Sequence, residues 1–120
     1  MRDIGTEYLF KCRENYFKDI RPSCKEVYDS EDYKFLSQLA QFYILERGAE
    51  EFSGFFQEAQ YLVNLWTAHF LISVEDIVSK TRAESLDIIV RYSQTEMNSV
   101  LAFEEKQWLV ENSLYTNNGL

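Results

Sequence analysis

The chain has 120 residues, among them nine Phe, eight Tyr and two Trp, and carries a formal net charge of −8. A chain this long buries a core without disulfide or metal staples, so one helical domain over residues 1–114 is expected, with a flexible tail over 115–120. The negative field argues against nucleic acid and anionic lipid and favours a basic partner; without a leader or a long apolar run, the chain reads as cytoplasmic.

Residues 1–48 hold eight Lys or Arg against nine Asp or Glu, whereas residues 49–120 hold four against eleven. The acidity therefore belongs to the second part.

Thr6 is a candidate cap for a helix from Glu7, with Leu9, Cys12, Tyr16 and Ile20 on its apolar face, Phe17 alongside, and Pro22 as its stop. Lys11, Lys18, Arg21 and Lys25 accompany it, interleaved with Glu14 and Asp19. They read either as a nucleic-acid patch with Tyr16 and Phe17 as stacking platforms, or as a solvated face of mixed charge, and the second reading is preferred. Whether Cys12 and Cys24 pair is left open. Two thiols and the single histidine, His69, make a zinc site improbable, and no cofactor is expected.

Asp29 or Ser30 then caps a second helix whose stripe is Phe35, Leu36, Leu39, Phe42 and Tyr43, with Gly48 just past its end. The stretch from Ala49 to Ser73 follows at once. Phe52, Phe55, Phe56, Ala59, Leu62, Val63, Trp66 and Phe70 recur there at spacings of three or four, which predicts one long helix at the centre of the core, in an antiparallel hairpin with its predecessor. Gly54 inside it points to a close helix crossing or to an irregularity in the first turns. His69, beside Trp66 and Phe70, reads as a core or boundary residue with one hydrogen bond.

Ser73 with Asp76, and Thr81 with Glu84, resemble capping boxes, so residues 74–92 form one helix broken near Thr81 or two shorter ones. Leu86, Ile88, Val90 and Tyr92 also alternate as a strand does. In the last segment, helix formers from Ala102 to Gln107 favour a helix capped by Ser93 or Thr95 over two strands. The expected fold is thus all-α, about five helices in antiparallel hairpins; the alternative is α+β, with a small antiparallel sheet over residues 86–112.

Little in the sequence supports catalysis. A Ser, His and acid arrangement has only His69 to draw on, and the isolated glycines build no phosphate loop. Glu50 with Glu51, Glu75 with Asp76, and Glu104 with Glu105 are adjacent pairs, but helix neighbours point about 100 degrees apart, so they read as exposed charges. The chain is expected not to be an enzyme. The profile looks like that of small acidic inhibitors such as immunity proteins, so the chain is expected to bind a protein with a basic surface, most concretely a secreted bacterial toxin such as a nuclease. The expected contacts are Glu50, Glu51, Glu58, Glu75, Asp76, Glu104 and Glu105, with Tyr61 and Tyr115 as aromatic anchors. A homo-oligomeric structural or adaptor subunit is the first alternative. A nucleic-acid regulator working through the basic N-terminal helix is the second.

Overall fold

A computed structural model describes residues 3–112, so the expected tail over 115–120, Tyr115 included, lies outside the described residues. Those residues form six α-helices and no strand: α1 (Ile4–Phe17), α2 (Glu31–Arg47), α3 (Ala49–Phe52), α4 (Val63–Ile72), α5 (Ser79–Ser93) and α6 (Ser99–Glu111). The all-α expectation holds. The alternative sheet over 86–112 does not, because that stretch supplies α5 and α6. Burying Ser85, Ile88 and Ile89 on one side of α5 requires helical spacing, and this overrides the alternation of Leu86 to Tyr92. None of the described helices is long and apolar enough to cross a membrane.

α1 begins earlier than its sequence suggested. Asp3, not Thr6, is the cap, and its carboxylate accepts the Thr6 N–H at 2.9 Å. The buried face is Tyr8, Lys11, Cys12 and Asn15, while Tyr16 and Phe17 are exposed. The helix also stops before Pro22 can act. Asp19 turns left-handed at φ 60° and the Ile20 N–H closes on the Asn15 carbonyl at 2.9 Å, satisfying the helix end locally.

α2 is capped by Ser30, whose hydroxyl accepts the Tyr33 N–H, and ends at Gly48, where φ is 95°. Its buried residues are Leu36, Ala40 and Tyr43; Phe35 and Phe42 face outward, contrary to the stripe read from spacing.

The long central helix is the main correction. Residues 49–72 form the single turn α3, 3₁₀ turns over Ser53–Gln57 and Gln60–Leu62, and then α4. Tyr61 and Leu62 both take positive φ, 56° and 61°, and the Asn64 N–H bonds the Glu58 carbonyl at 2.8 Å across the break. Ser53–Gln57 folds back to pack against α4 instead of prolonging it. Phe52 and Phe55 can then meet Tyr8 and Tyr43, with ring centroids 5.0 to 5.6 Å apart. Gly54 marks the irregularity, not a close crossing, since a Cβ there would meet nothing within 4 Å.

α4 itself is apolar nearly all round and is covered on all sides, as such helices must be. Val63, Trp66 and Leu71 belong to one buried cluster with Tyr8, Leu36 and Phe52; Leu65 and Ala68 belong to another with Ile88, Ile89, Leu101 and Leu109. α5 starts at Ser79 behind Val78, which gives no side-chain cap, so neither expected capping box forms. The break lies over 73–78, ahead of Thr81, which sits buried inside α5. α6 is capped by Asn98, not by Ser93 or Thr95: the Leu101 N–H donates to its Oδ1 at 3.1 Å.

Candidate functional site

The turn after α2 and the break before α5 bring together two acidic stretches that lie far apart in sequence. Gly48 starts α3 with Glu50 exposed in its first turn, while residues 73–78 carry Glu75 and Asp76, both exposed. Glu50, Gly54, Asp76, Val78 and Glu84 line one groove of about 480 Å³. Gly54 contributes no side chain to it, and Val78, which also lines it, stands 65% exposed. Among the described residues Lys80 is the one cation lining this groove; its contact with Glu84 is a surface pair at 3.6 Å, weak in water.

The other expected contacts are not part of this surface. Glu51 accepts the Tyr43 hydroxyl at 2.8 Å and Arg47 at 3.0 Å, and these two, the tyrosine first, hold its carboxyl below the ordinary range. Glu58 is exposed and lines a separate hollow of about 300 Å³ with Phe10, Arg13 and Tyr61. Tyr61 is half-buried. Its ring meets Tyr16 at 5.6 Å and Phe17 at 5.7 Å, and the Arg13 guanidinium lies 5.7 Å from its centroid, so its aromatic faces are largely engaged within the chain.

Glu104 is held by Arg21, and Glu105 is completely buried. The expectation that this pair is exposed charge fails for both, Glu105 being wholly buried and Glu104 mostly so. A full turn of α6 points inward there, since Leu101, Ala102, Glu105 and Leu109 share one face.

The four basic residues read as a possible nucleic-acid patch are likewise paired. Lys11 reaches Asp32 at 2.6 Å and Glu14 at 3.1 Å, Lys18 reaches both of these acids, Arg21 takes Glu104, and Lys25 meets Glu111. Their charge is balanced in place, although Lys11 is buried and so is not part of a solvated face. Hydrogen bonds from Lys18 and Lys11 hold the Glu14 carboxyl below its ordinary range, and Lys11 does so for Asp32.

A second locus was not legible in sequence spacing. His69 lies between Ser23, 46 positions before it, and Glu105, 36 positions after: its Nε2 is 2.6 Å from Glu105 Oε1 and 3.2 Å from Ser23 Oγ. All three side chains are buried. His69 therefore has two polar contacts where one was expected. Both fall on the same nitrogen, whereas a serine nucleophile relay needs the acid on one ring nitrogen and the serine on the other. Glu105 Oε2 has no hydrogen-bond partner among the described residues.

Cys12 and Cys24 are buried free thiols, and burial pushes the Cys12 thiol well up, away from the nucleophilic form. Among the described residues no three His, Cys, Asp or Glu gather as metal ligands would.

No family model, curated protein or solved structure matches the chain. The functional argument therefore rests on these surfaces. Of the expected contact residues, the fold brings Glu50 and Asp76 into one groove, with Glu75 on the same turn; it adds Glu84 and Val78, which the sequence had not marked as contacts. The signal for Glu84 was its position one turn into α5, visible only once the helix start is known.

Proposed function

We propose that this chain is a non-catalytic protein-binding module that acts in the cytoplasm as an inhibitor of a protein with a basic surface. In its most concrete form it is an immunity protein that neutralises a secreted bacterial toxin, a nuclease being the natural case. The observation that supports this reading is the groove between α3 and the start of α5, where Glu50, Asp76 and Glu84 converge around exposed Val78 with Lys80 as the only lining cation among the described residues. Such a surface steers a basic partner into contact, and the exposed Val78 side chain gives it something to bury on arrival. The pairing of Lys11, Lys18, Arg21 and Lys25 with carboxylates leaves the nucleic-acid alternative with little free positive charge to work with.

The test is capture of partners by the tagged full chain from its own cells at moderate salt. Each captured protein is then purified and assayed alone and with the chain. Recovery of a basic protein at equal stoichiometry, with its activity suppressed, is the expected result. Recovery of the chain by itself, as a defined oligomer, overturns the inhibitor reading.

That second outcome has a structural counterpart. Val100, Phe103 and Val110 are exposed at helical spacings along α6, an apolar stripe of the kind that a homo-oligomer covers.

A further inference from the structure

Between α2 and α4 lies a cleft of about 430 Å³ with aromatic walls: Tyr28 and Tyr33 on the α2 side, Trp66 and Phe70 along α4, and Trp108 from α6. Trp66 and Phe70 stack at 5.8 Å and 21°, and Tyr33 meets Trp66 at 5.7 Å. The volume falls in the range of small-molecule sites, roughly 300–1,000 Å³. Among the described residues no Asp, Glu, Lys or Arg lines it, so its chemistry suits a neutral guest.

His69 also lines the cleft, and its ring is held in place. The Glu105 carboxyl at 2.6 Å engages Nε2, and the Trp108 ring stands edge-on at 4.7 Å and 90°. A carboxylate acceptor at that distance favours the ring proton on Nε2, which leaves the lone pair on Nδ1. Among the described residues Nδ1 has no hydrogen-bond partner, and it is not one of the buried unpartnered polar atoms. Glu105 makes this arrangement at a cost, being wholly buried with Oε2 unpartnered. A leucine at that position would satisfy the core without it.

The geometry points to a ligand site: the cleft takes a small, neutral, planar aromatic molecule bearing an O–H or N–H, which sits against Trp66 and Tyr33 and donates its hydrogen to His69 Nδ1. Glu105 is the positioning residue, since it selects the tautomer that can accept. The site is independent of the acidic groove and of any protein partner.

p-Cresol is a suitable probe, with toluene as the same ring lacking the donor. The full chain is titrated with each by calorimetry, and nitrogen NMR follows the His69 ring. Saturable binding of p-cresol, roughly tenfold tighter than toluene, is expected, with the shift confined to Nδ1. His69→Phe should bring the two probes to equal affinity. Should that variant not fold, Ser37→Phe at the cleft rim leaves the His69–Glu105 pair untouched and is expected to abolish binding of both. Absence of saturable p-cresol binding in the wild type, equal affinity for the two probes there, or undiminished binding to Ser37→Phe each overturns the assignment.

Discussion

Arg21 grips Glu104 with two parallel hydrogen bonds, Nε to Oε1 at 2.8 Å and Nη2 to Oε2 at 2.9 Å, and so ties the connection between α1 and α2 to α6 across 83 positions of sequence. Both groups are mostly buried, at 21% and 15% exposed, so the pair is shielded from salt more than a surface pair is. Arg21→Ala or Glu104→Ala is expected to lower stability by about 1.5–3 kcal/mol. Arg21→Lys should recover less than half, because an ammonium cannot make the paired contact. Urea unfolding of the singles and the double variant checks this: if the double variant costs the sum of the singles, the two residues are not coupled.

Glu105 and His69 should show a different pattern. Glu105→Ala strips the Nε2 partner from a buried imidazole and opens a space in α6, and is expected to cost about 2–4 kcal/mol. Glu105→Gln keeps the shape and an oxygen acceptor, and should cost less than half as much. Thermal melts of the two variants decide it, and equal losses would show that shape and an amide oxygen cannot replace the carboxylate beside His69.

Charge reversal separates the groove from the other acids. Glu50→Lys with Asp76→Lys should slow association with the captured basic partner by roughly tenfold or more at low salt and flatten its salt dependence. Reversal of Glu58, which lies in a different hollow, should change the rate by less than about threefold. Stopped-flow association at several ionic strengths reads both, and equal effects would remove the groove as the contact.

Alkaline pH tests the aromatic interior. Burial raises the phenol of Tyr8, pushes Tyr28 up to about 12, and also raises Tyr33, Tyr43 and Tyr92. The folded state therefore holds these protons where the unfolded chain, with phenols near pH 10, has begun to release them. Stability from this source is complete below about pH 10 and falls as pH rises toward 12. Phenolate absorbance from these residues should appear together with loss of helical circular dichroism; absorbance that rises first, in a chain still helical, would contradict it.

Asp19 offers a gain. It sits at φ 60°, 92% exposed, at the point where α1 turns off. Asp19→Gly removes the left-handed penalty and should raise stability by up to about 1 kcal/mol, seen as a higher urea midpoint at unchanged slope.

Much of the helical content was legible because it rests on local chemistry. Ser30 and Gly48 mark the two ends of α2, and the helix formers Ala102 to Gln107 carry α6. What escaped was decided by distant contacts. Residues 49–62 have helical spacing throughout, yet Phe52 and Phe55 gain more by turning back to Tyr8 and Tyr43 than by extending α4. Glu105 has the composition of a surface residue, and nothing nearby in sequence announces that His69 awaits it across the core. The acidic groove was half visible: its charges stood out, but their convergence depended on a break whose position no cap revealed.

α4 has one further consequence. Because Val63, Trp66 and Leu71 face one cluster while Leu65 and Ala68 face the other, neither cluster can melt without stripping half the cover from the same ten residues. The two sides should therefore open as one cooperative unit, with the amides of 65–71 the last to exchange with deuterium and sharing a single opening free energy. A fragment cut between α4 and α5 would leave Leu65 and Ala68 bare, and the half it keeps should fail to hold its shape alone.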